Sequence, residues 1–139
     1  MHRAEFIKKS CTACIGVVSW SALGALQGCV PSNLYRATVT GRKIIIPLTA
    51  FSEFSSLIVR AKGEPFDVIV LKNNEGVYDA FELRCTHADT SITYTGRDFI
   101  CHLHGSVYSR NGQVTKGPAE ENLRSFKIEL SANEIVVLL

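Results

Sequence analysis

The folded part of this sequence lacks an excess of charge of either sign. The whole sequence has 15 basic and 13 acidic side chains, and Arg3, Lys8, Lys9 and Glu5 lie in the first 28 residues, so the remainder is balanced. Since it also lacks a basic run, it gives no support for nucleic-acid binding. Internal repeats and low-complexity tracts are missing too. A chain of 139 residues, 46% of them hydrophobic, therefore predicts one folded domain with a modest core.

The five cysteines are an odd number and fall into two groups. Cys11, Cys14 and Cys29 belong to the N-terminal segment, which leaves Cys85 and Cys101 in the folded part. These two could form a disulfide, be buried as small hydrophobic side chains, or bind a metal. Three of the four histidines lie beside them, and this favours metal binding.

Residues 1–28 are predicted to be a signal segment. A basic beginning, a short apolar middle and small residues before Cys29 are typical of export. The end of the segment resembles a bacterial lipobox in which Cys29 is lipidated, although Gln27 is unusual there. The alternative is an uncleaved anchor, because residues 12–30 approach the length of a bilayer span. Both predict a membrane-tethered, extracytoplasmic (periplasmic-side) protein with a short tether over 29–34.

Short strand-like segments follow one another over residues 35–139. They alternate polar and apolar side chains or form brief apolar runs, and Gly, Pro and Asn separate them. The predicted strands span 35–40, 43–47, 56–60, 66–71, 77–83, 99–100, 106–109, 114–115, 125–130 and 134–139, with a hairpin signal at 111–112. One weak helical candidate spans 49–55. The pattern predicts an antiparallel all-β domain.

Two clusters of cysteine and histidine each follow a strand-like run. Cys85-Thr86-His87 is followed, after a gap of thirteen residues, by Cys101-His102-Leu103-His104. On neighbouring loops, thiolates and imidazoles in equal number suit zinc, copper or an iron–sulfur centre. A closed zinc site is one alternative, although its ligand pairs usually have other spacings. A plain disulfide is the other, and it leaves the histidines unexplained.

Together, Cys-Thr-His, the thirteen-residue gap, Cys-x-x-His-Gly-Ser-x-Tyr and Gly117-Pro118-Ala119 resemble the Rieske [2Fe–2S] domain. The resemblance covers residues 35–139 and implies an all-β fold, a Rieske-type antiparallel β-sandwich with two cluster-binding loops. It implies one [2Fe–2S] cluster as the cofactor. The inner iron would be bound by Cys85 and Cys101, and the outer iron, near the surface, by His87 and His104.

The resemblance also implies roles for residues that do not bind iron. His102 stands where proline is common and is expected to face solvent. Ser106 is expected to donate to a bridging sulfide and Tyr108 to a cysteine sulfur. Because both donors stabilise the reduced cluster, the potential is predicted in the middle to upper part of a range of about −150 to +300 mV. Gly117 and Pro118 match the family's proline loop, which covers the cluster.

The disulfide that braces the two loops in high-potential Rieske proteins is absent, since Thr90 and Leu103 stand at its positions. The implied function is one-electron transfer without a substrate-turnover site. The protein is expected to be a subunit or carrier of a respiratory or periplasmic oxidoreductase system. Its expected partners are redox proteins, a quinol-oxidising complex among them, and the membrane itself. The alternative is a zinc-stabilised or cluster-free binding module on the same fold.

Overall fold

A computed structural model describes residues 33–139. The predicted signal segment, Cys29 and most of the predicted tether lie outside the described residues. Within 33–139, eleven strands and one short 3-10 helix follow in chain order. The strands are β1 Leu34–Thr40, β2 Lys43–Pro47, β3 Ser56–Lys62, β4 Val68–Lys72, β5 Tyr78–Glu82, β6 Thr93–Tyr94, β7 Phe99–Ile100, β8 Val107–Tyr108, β9 Val114–Lys116, β10 Ser125–Leu130 and β11 Glu134–Leu138, and the helix is Leu48–Phe51.

Seven strands of the described part close into a barrel in the order β1-β2-β11-β10-β5-β4-β3. Neighbouring strands are antiparallel except β1 and β3, which pair in parallel with Leu34 opposite Ile58. That pair exists because β2 and β3 are not neighbours, and the segment containing the 3-10 helix carries the chain to the other side of β1. Closure leaves no long strand edge without a partner, which removes a common site of aggregation.

Alternating side chains fill the inside of the barrel. In β2, Ile44 and Ile46 are fully buried while Ile45 between them is 46% exposed. The register places Ile44 opposite Val137 and Ile46 opposite Ile135. All four buried side chains belong to one apolar core, in accordance with the two-residue period of a strand.

β4 is apolar on both faces because it separates two cores. Val68 and Val70 point into the barrel, whereas Ile69 and Leu71 belong to a second core. That second core lies under a four-stranded antiparallel sheet in the order β6-β7-β8-β9. The strands of this sheet are only two or three residues long, too short to be stable alone. Packing on the outer face of β4 and β5 therefore holds the small sheet in place.

The predicted all-β class is confirmed, and each predicted strand coincides with an observed one to within a residue or two at either end. β6 was not predicted, because two residues are too few to show an alternating pattern. The weak helical candidate at 49–55 corresponds to the single 3-10 turn Leu48–Phe51. No helix within residues 33–139 has the length and hydrophobicity needed to cross a bilayer.

The turn between β8 and β9 provides a test of the second core. Gly112 has φ +75°, and a Cβ added there would lie 2.7 Å from Cε1 of the buried Phe81 ring. We expect Gly112→Ala to lower the free energy of unfolding by about 1–3 kcal/mol, through backbone strain and displacement of the ring. Urea unfolding of the purified protein measures the loss.

Gly96→Ala is the matched control for this substitution. Gly96 has φ +93°, but an added Cβ would meet nothing within 4 Å. Only the backbone strain should then remain, and the loss should be clearly smaller. Equal losses in the two variants would contradict the steric contribution of Phe81.

Candidate metal centre

The two Cys/His clusters lie on two loops with the same backbone hydrogen bonds. Cys85 follows β5 and Cys101 follows β7. The N–H of Asp89 donates to Cys85 O at 3.0 Å, and the N–H of Gly105 donates to Cys101 O at 3.0 Å. Asp89 and Gly105 both have positive φ, of 48° and 81°. Each cysteine is therefore followed by a tight turn that ends in a left-handed residue, a conformation that glycine adopts without strain.

The two cysteines of these loops lie together inside the protein. Cys85 and Cys101 are both fully buried, and both are free thiols. Both belong to the same apolar core, and the Cys101 side chain is near enough to lower the pKa of Cys85. The disulfide alternative is therefore not the arrangement that the structure adopts, and a pair of adjacent sulfurs remains available to a metal.

The histidines of the same loops lie at the surface. The rings of His87 and His104 are exposed and meet edge to face, with centroids 5.3 Å apart. His102 is also exposed, on the turn between Cys101 and His104. The loops thus bring together one buried sulfur pair and one exposed imidazole pair.

The separation of these two pairs distinguishes between kinds of metal site. A closed zinc site needs its four ligands around one point, at about 2.0–2.3 Å. Within residues 33–139, no group of three or more Cys, His, Asp or Glu side chains has the arrangement of a site for a single ion. Two donor pairs, sulfur inside and nitrogen outside, suit a centre with two metal ions of different surroundings.

Hydrogen bonds favour the thiolate form of Cys85. Burial raises its pKa, but the Tyr108 hydroxyl, the backbone N–H groups of His87 and Ala88 and the Cys101 side chain together bring the pKa below its ordinary value. Tyr108 Oη lies 3.4 Å from Cys85 Sγ. Since thiolate is the metal-binding form of cysteine, the site fits a metal ligand at this position.

Tyr108 keeps its proton in this environment. Its ring is fully buried, and burial together with the neighbouring Cys85 sulfur raises the pKa of its hydroxyl above the ordinary value. A hydroxyl that stays protonated can donate to a thiolate. The structure thus places the protonated Tyr108 hydroxyl beside the Cys85 sulfur.

Ser106 and the segment after β9 cover the site from a third side. Ser106 is fully buried, and its Oγ accepts the N–H of Ala119 at 3.0 Å. With that lone pair occupied, its own proton remains free to donate elsewhere. Pro118, next to Gly117 in the predicted proline loop, lines a surface cavity together with His87. This segment therefore contacts both cluster loops.

Two features of the first loop could not be found by motif reasoning. Arg84 holds Asp89, the left-handed residue of this loop, through Nε and Nη2 to Oδ1. The Thr86 hydroxyl contacts both Tyr108 Oη, at 3.0 Å, and the backbone oxygen of Glu121, at 2.7 Å. The sole signal in the sequence for the second feature is the position of Thr86 between Cys85 and His87.

A β-barrel carrying a small sheet with two such loops defines an iron–sulfur protein. The Rieske [2Fe–2S] domain model matches residues 42–127, more than half of the chain. The chain therefore belongs to the Rieske [2Fe–2S] family, and its cofactor is one Rieske-type [2Fe–2S] cluster. When bound, such a cluster supplies a one-electron redox couple.

Known proteins similar to this chain come from cytochrome complexes and from a plasma membrane. The cytochrome b6-f complex iron–sulfur subunit of Prochlorococcus marinus subsp. pastoris is 35% identical in an alignment of 86 residues that covers 59% of this chain and 47% of that subunit. This chain thus spans about half the length of the curated relatives it matches. The plasma membrane Rieske protein PetC3 of Synechocystis PCC 6803 is 27% identical, with a TM-score of 0.56 over 67% of this chain and 95% of PetC3.

A third similar protein is a structural match that covers more of this chain, and at its low sequence identity it bears on the fold alone. A chain of a hyperthermophilic respiratory Complex III is 16% identical, with a TM-score of 0.51 over 95% of this chain and 91% of that chain. The two structural matches agree with the fold described above.

Replacing Tyr108 tests the electronic effect of its hydrogen bond. We expect Tyr108→Phe to lower the midpoint potential by about 40 mV, which for one electron corresponds to roughly 1 kcal/mol, because the reduced cluster loses a donor at Cys85 Sγ. A redox titration followed by electron paramagnetic resonance (EPR) measures the shift. Tyr78→Phe, in the barrel, is the control and should leave the potential unchanged. A potential that rises in Tyr108→Phe would contradict donation to the sulfur.

Proposed function

We propose that this protein transfers single electrons through a cluster bound by Cys85, Cys101, His87 and His104, and that it works outside the cytoplasm while tethered to a membrane. The observation that carries the first part is the separation of the buried sulfur pair from the exposed imidazole pair. Membership of the Rieske family supports one-electron transfer as the chemistry.

The difference in burial between the two donor pairs supports a route for electron transfer. The sulfur pair is fully buried, so the metal it binds is shielded from water and from chance oxidants. The imidazoles of His87 and His104 are exposed, so the metal they bind lies close to any protein that docks on this face. Electrons would therefore enter and leave through the histidines.

The potential proposed for the cluster follows from its ligands and donors. Two neutral imidazoles in place of two thiolates make the cluster less negative and raise its potential. Donation from Tyr108, and from Ser106 with its Oγ oriented by Ala119, would raise it further. These contacts support a value in the middle to upper part of the Rieske range.

The exposed face at the cluster supports a protein partner. Leu103 lies between His102 and His104 and is 59% exposed, so it adds apolar surface to the face that presents the imidazoles. The name of the Prochlorococcus relative places that protein in a cytochrome b6-f complex. By extension, the redox partner of the present chain would belong to a quinol-oxidising complex. The chain itself would be a subunit of that complex or a small electron carrier that serves it. No substrate-turnover site is proposed.

The membrane tether is proposed on the sequence of the N-terminal segment. A basic start, an apolar middle and the lipobox-like 26–29 support export and lipidation of Cys29. The likeness to PetC3, which is a plasma membrane protein by its description, is consistent with such a location. A short tether would keep the barrel close to the membrane surface.

The two histidines of the second loop provide the sharpest test of the ligands. We expect the purified, reduced protein to give a Rieske-type EPR signal. His104→Ala should abolish that signal, because the outer iron loses one of its two nitrogen ligands. His102→Ala is the matched control, on the same turn and equally a surface imidazole, and it should keep the signal. Loss of the signal in His102→Ala with retention in His104→Ala would overturn the assignment.

Lipidation is tested by metabolic labelling with an alkyne-tagged fatty acid in a bacterial host. We expect label on the wild-type chain and on Cys14→Ala, but none on Cys29→Ala, because only a cysteine thiol at the cleavage point accepts the lipid. Label that persists in Cys29→Ala would show that position 29 is not the acceptor. An unlabelled wild-type chain retained in membranes would instead favour the uncleaved anchor.

A further inference from the structure

We propose that Thr86 is a positioning residue, which sets the share of the Tyr108 hydroxyl proton that reaches Cys85 Sγ. This inference rests on Cys85 being a ligand of the cluster, as proposed above. It assigns to a side chain that binds no iron a control over the potential. It also links that control to the backbone at Glu121.

Three groups surround the Tyr108 hydroxyl. The backbone N–H of Thr86 lies 3.1 Å from Tyr108 Oη, Thr86 Oγ1 lies at 3.0 Å, and Cys85 Sγ lies at 3.4 Å. A backbone N–H can only donate, so it occupies one lone pair of Oη. The single proton of Tyr108 is then left for either Thr86 Oγ1 or Cys85 Sγ.

The Thr86 hydroxyl does not donate a hydrogen bond to Tyr108 Oη. Its one proton goes to the backbone oxygen of Glu121, 2.7 Å away, and a carbonyl oxygen can only accept. Towards Tyr108, Thr86 Oγ1 is therefore an acceptor. Two acceptors, one oxygen and one sulfur, compete for one proton.

The result of this competition depends on the position of Glu121. As long as the Glu121 carbonyl accepts the Thr86 proton, Thr86 Oγ1 acts as an acceptor and competes with Cys85 Sγ for the Tyr108 proton. A displacement of this backbone would free the Thr86 proton, and Thr86 could then donate to Tyr108 Oη and leave the whole Tyr108 proton to the sulfur. Glu121 lies two residues after Ala119, whose backbone N–H donates to Ser106 Oγ at 3.0 Å. The covering segment, residues 117–121, is thus connected to Thr86 in the first cluster loop and to Ser106 after the second.

Thr86→Val removes the competing acceptor and keeps both the β-branched shape and the backbone N–H. We expect the midpoint potential to rise, with the ratio of reduced to oxidised protein at a fixed ambient potential increasing on the order of threefold. Thr86→Ser retains the hydroxyl and should match the wild type. If Thr86→Val does not retain the cluster, Thr86→Ala removes the same acceptor and must shift the potential in the same direction.

A double-mutant cycle separates this effect from a general disturbance of the loop. In a Tyr108→Phe background there is no proton to share, so Thr86→Val should no longer raise the potential. An equal rise in both backgrounds would overturn the proposal, as would a fall or no change with Tyr108 present. The EPR signal of the wild type distinguishes the two levels of the hypothesis. Absence of this signal would refute the assignment of the cluster ligands. A wild-type signal together with an unchanged midpoint potential in Thr86→Val would refute the role of Thr86 alone.

Discussion

Two sulfurs must be kept from water while two imidazoles, a few residues further along the chain, must reach it. The loops solve this with one backbone pattern used twice, in which the cysteine oxygen accepts the N–H four residues on and a left-handed residue ends the turn. The rest of the fold supports this pattern. β4 gives one face to the barrel and the other to the core beneath the loops, and the small sheet holds both loops at one end.

The family resemblance implies a disulfide between the two loops in high-potential Rieske proteins, and hydrogen bonds join the loops of this protein instead. With Thr90 and Leu103 at the positions of that disulfide, the loops are joined through Tyr108 of β8, which contacts Cys85 and Thr86 of the first loop. The covering segment adds one contact to each loop, at Thr86 and at Ser106. Such contacts are individually weak and reversible, unlike a covalent bridge. The arrangement of the loops is therefore expected to respond to whatever binds the segment.

Local pattern was enough to predict ten of the eleven strands of residues 33–139 and the two Cys/His clusters, because neighbouring residues carry both signals. The closure of the barrel was not predictable, since the parallel pair of β1 and β3 has no local signal. The apolar run of β4 predicted a strand but not that its two faces contact different cores. The role of Thr86 was likewise inaccessible, because its hydroxyl bonds to Glu121, which is 35 residues away.

Under our proposals, the same hydroxyl groups position the loops and adjust the electronic state of the site. The Ser106 hydroxyl accepts the N–H of Ala119 and keeps its own proton free to donate. The Thr86 hydroxyl donates to the backbone oxygen of Glu121 and competes with Cys85 Sγ for the Tyr108 proton. Potential and loop position are therefore not independent properties of this protein. Any partner that shifts the covering segment on docking would also change the affinity of the cluster for an electron. A site braced by a disulfide could separate the two properties, and this chain has no disulfide at that position.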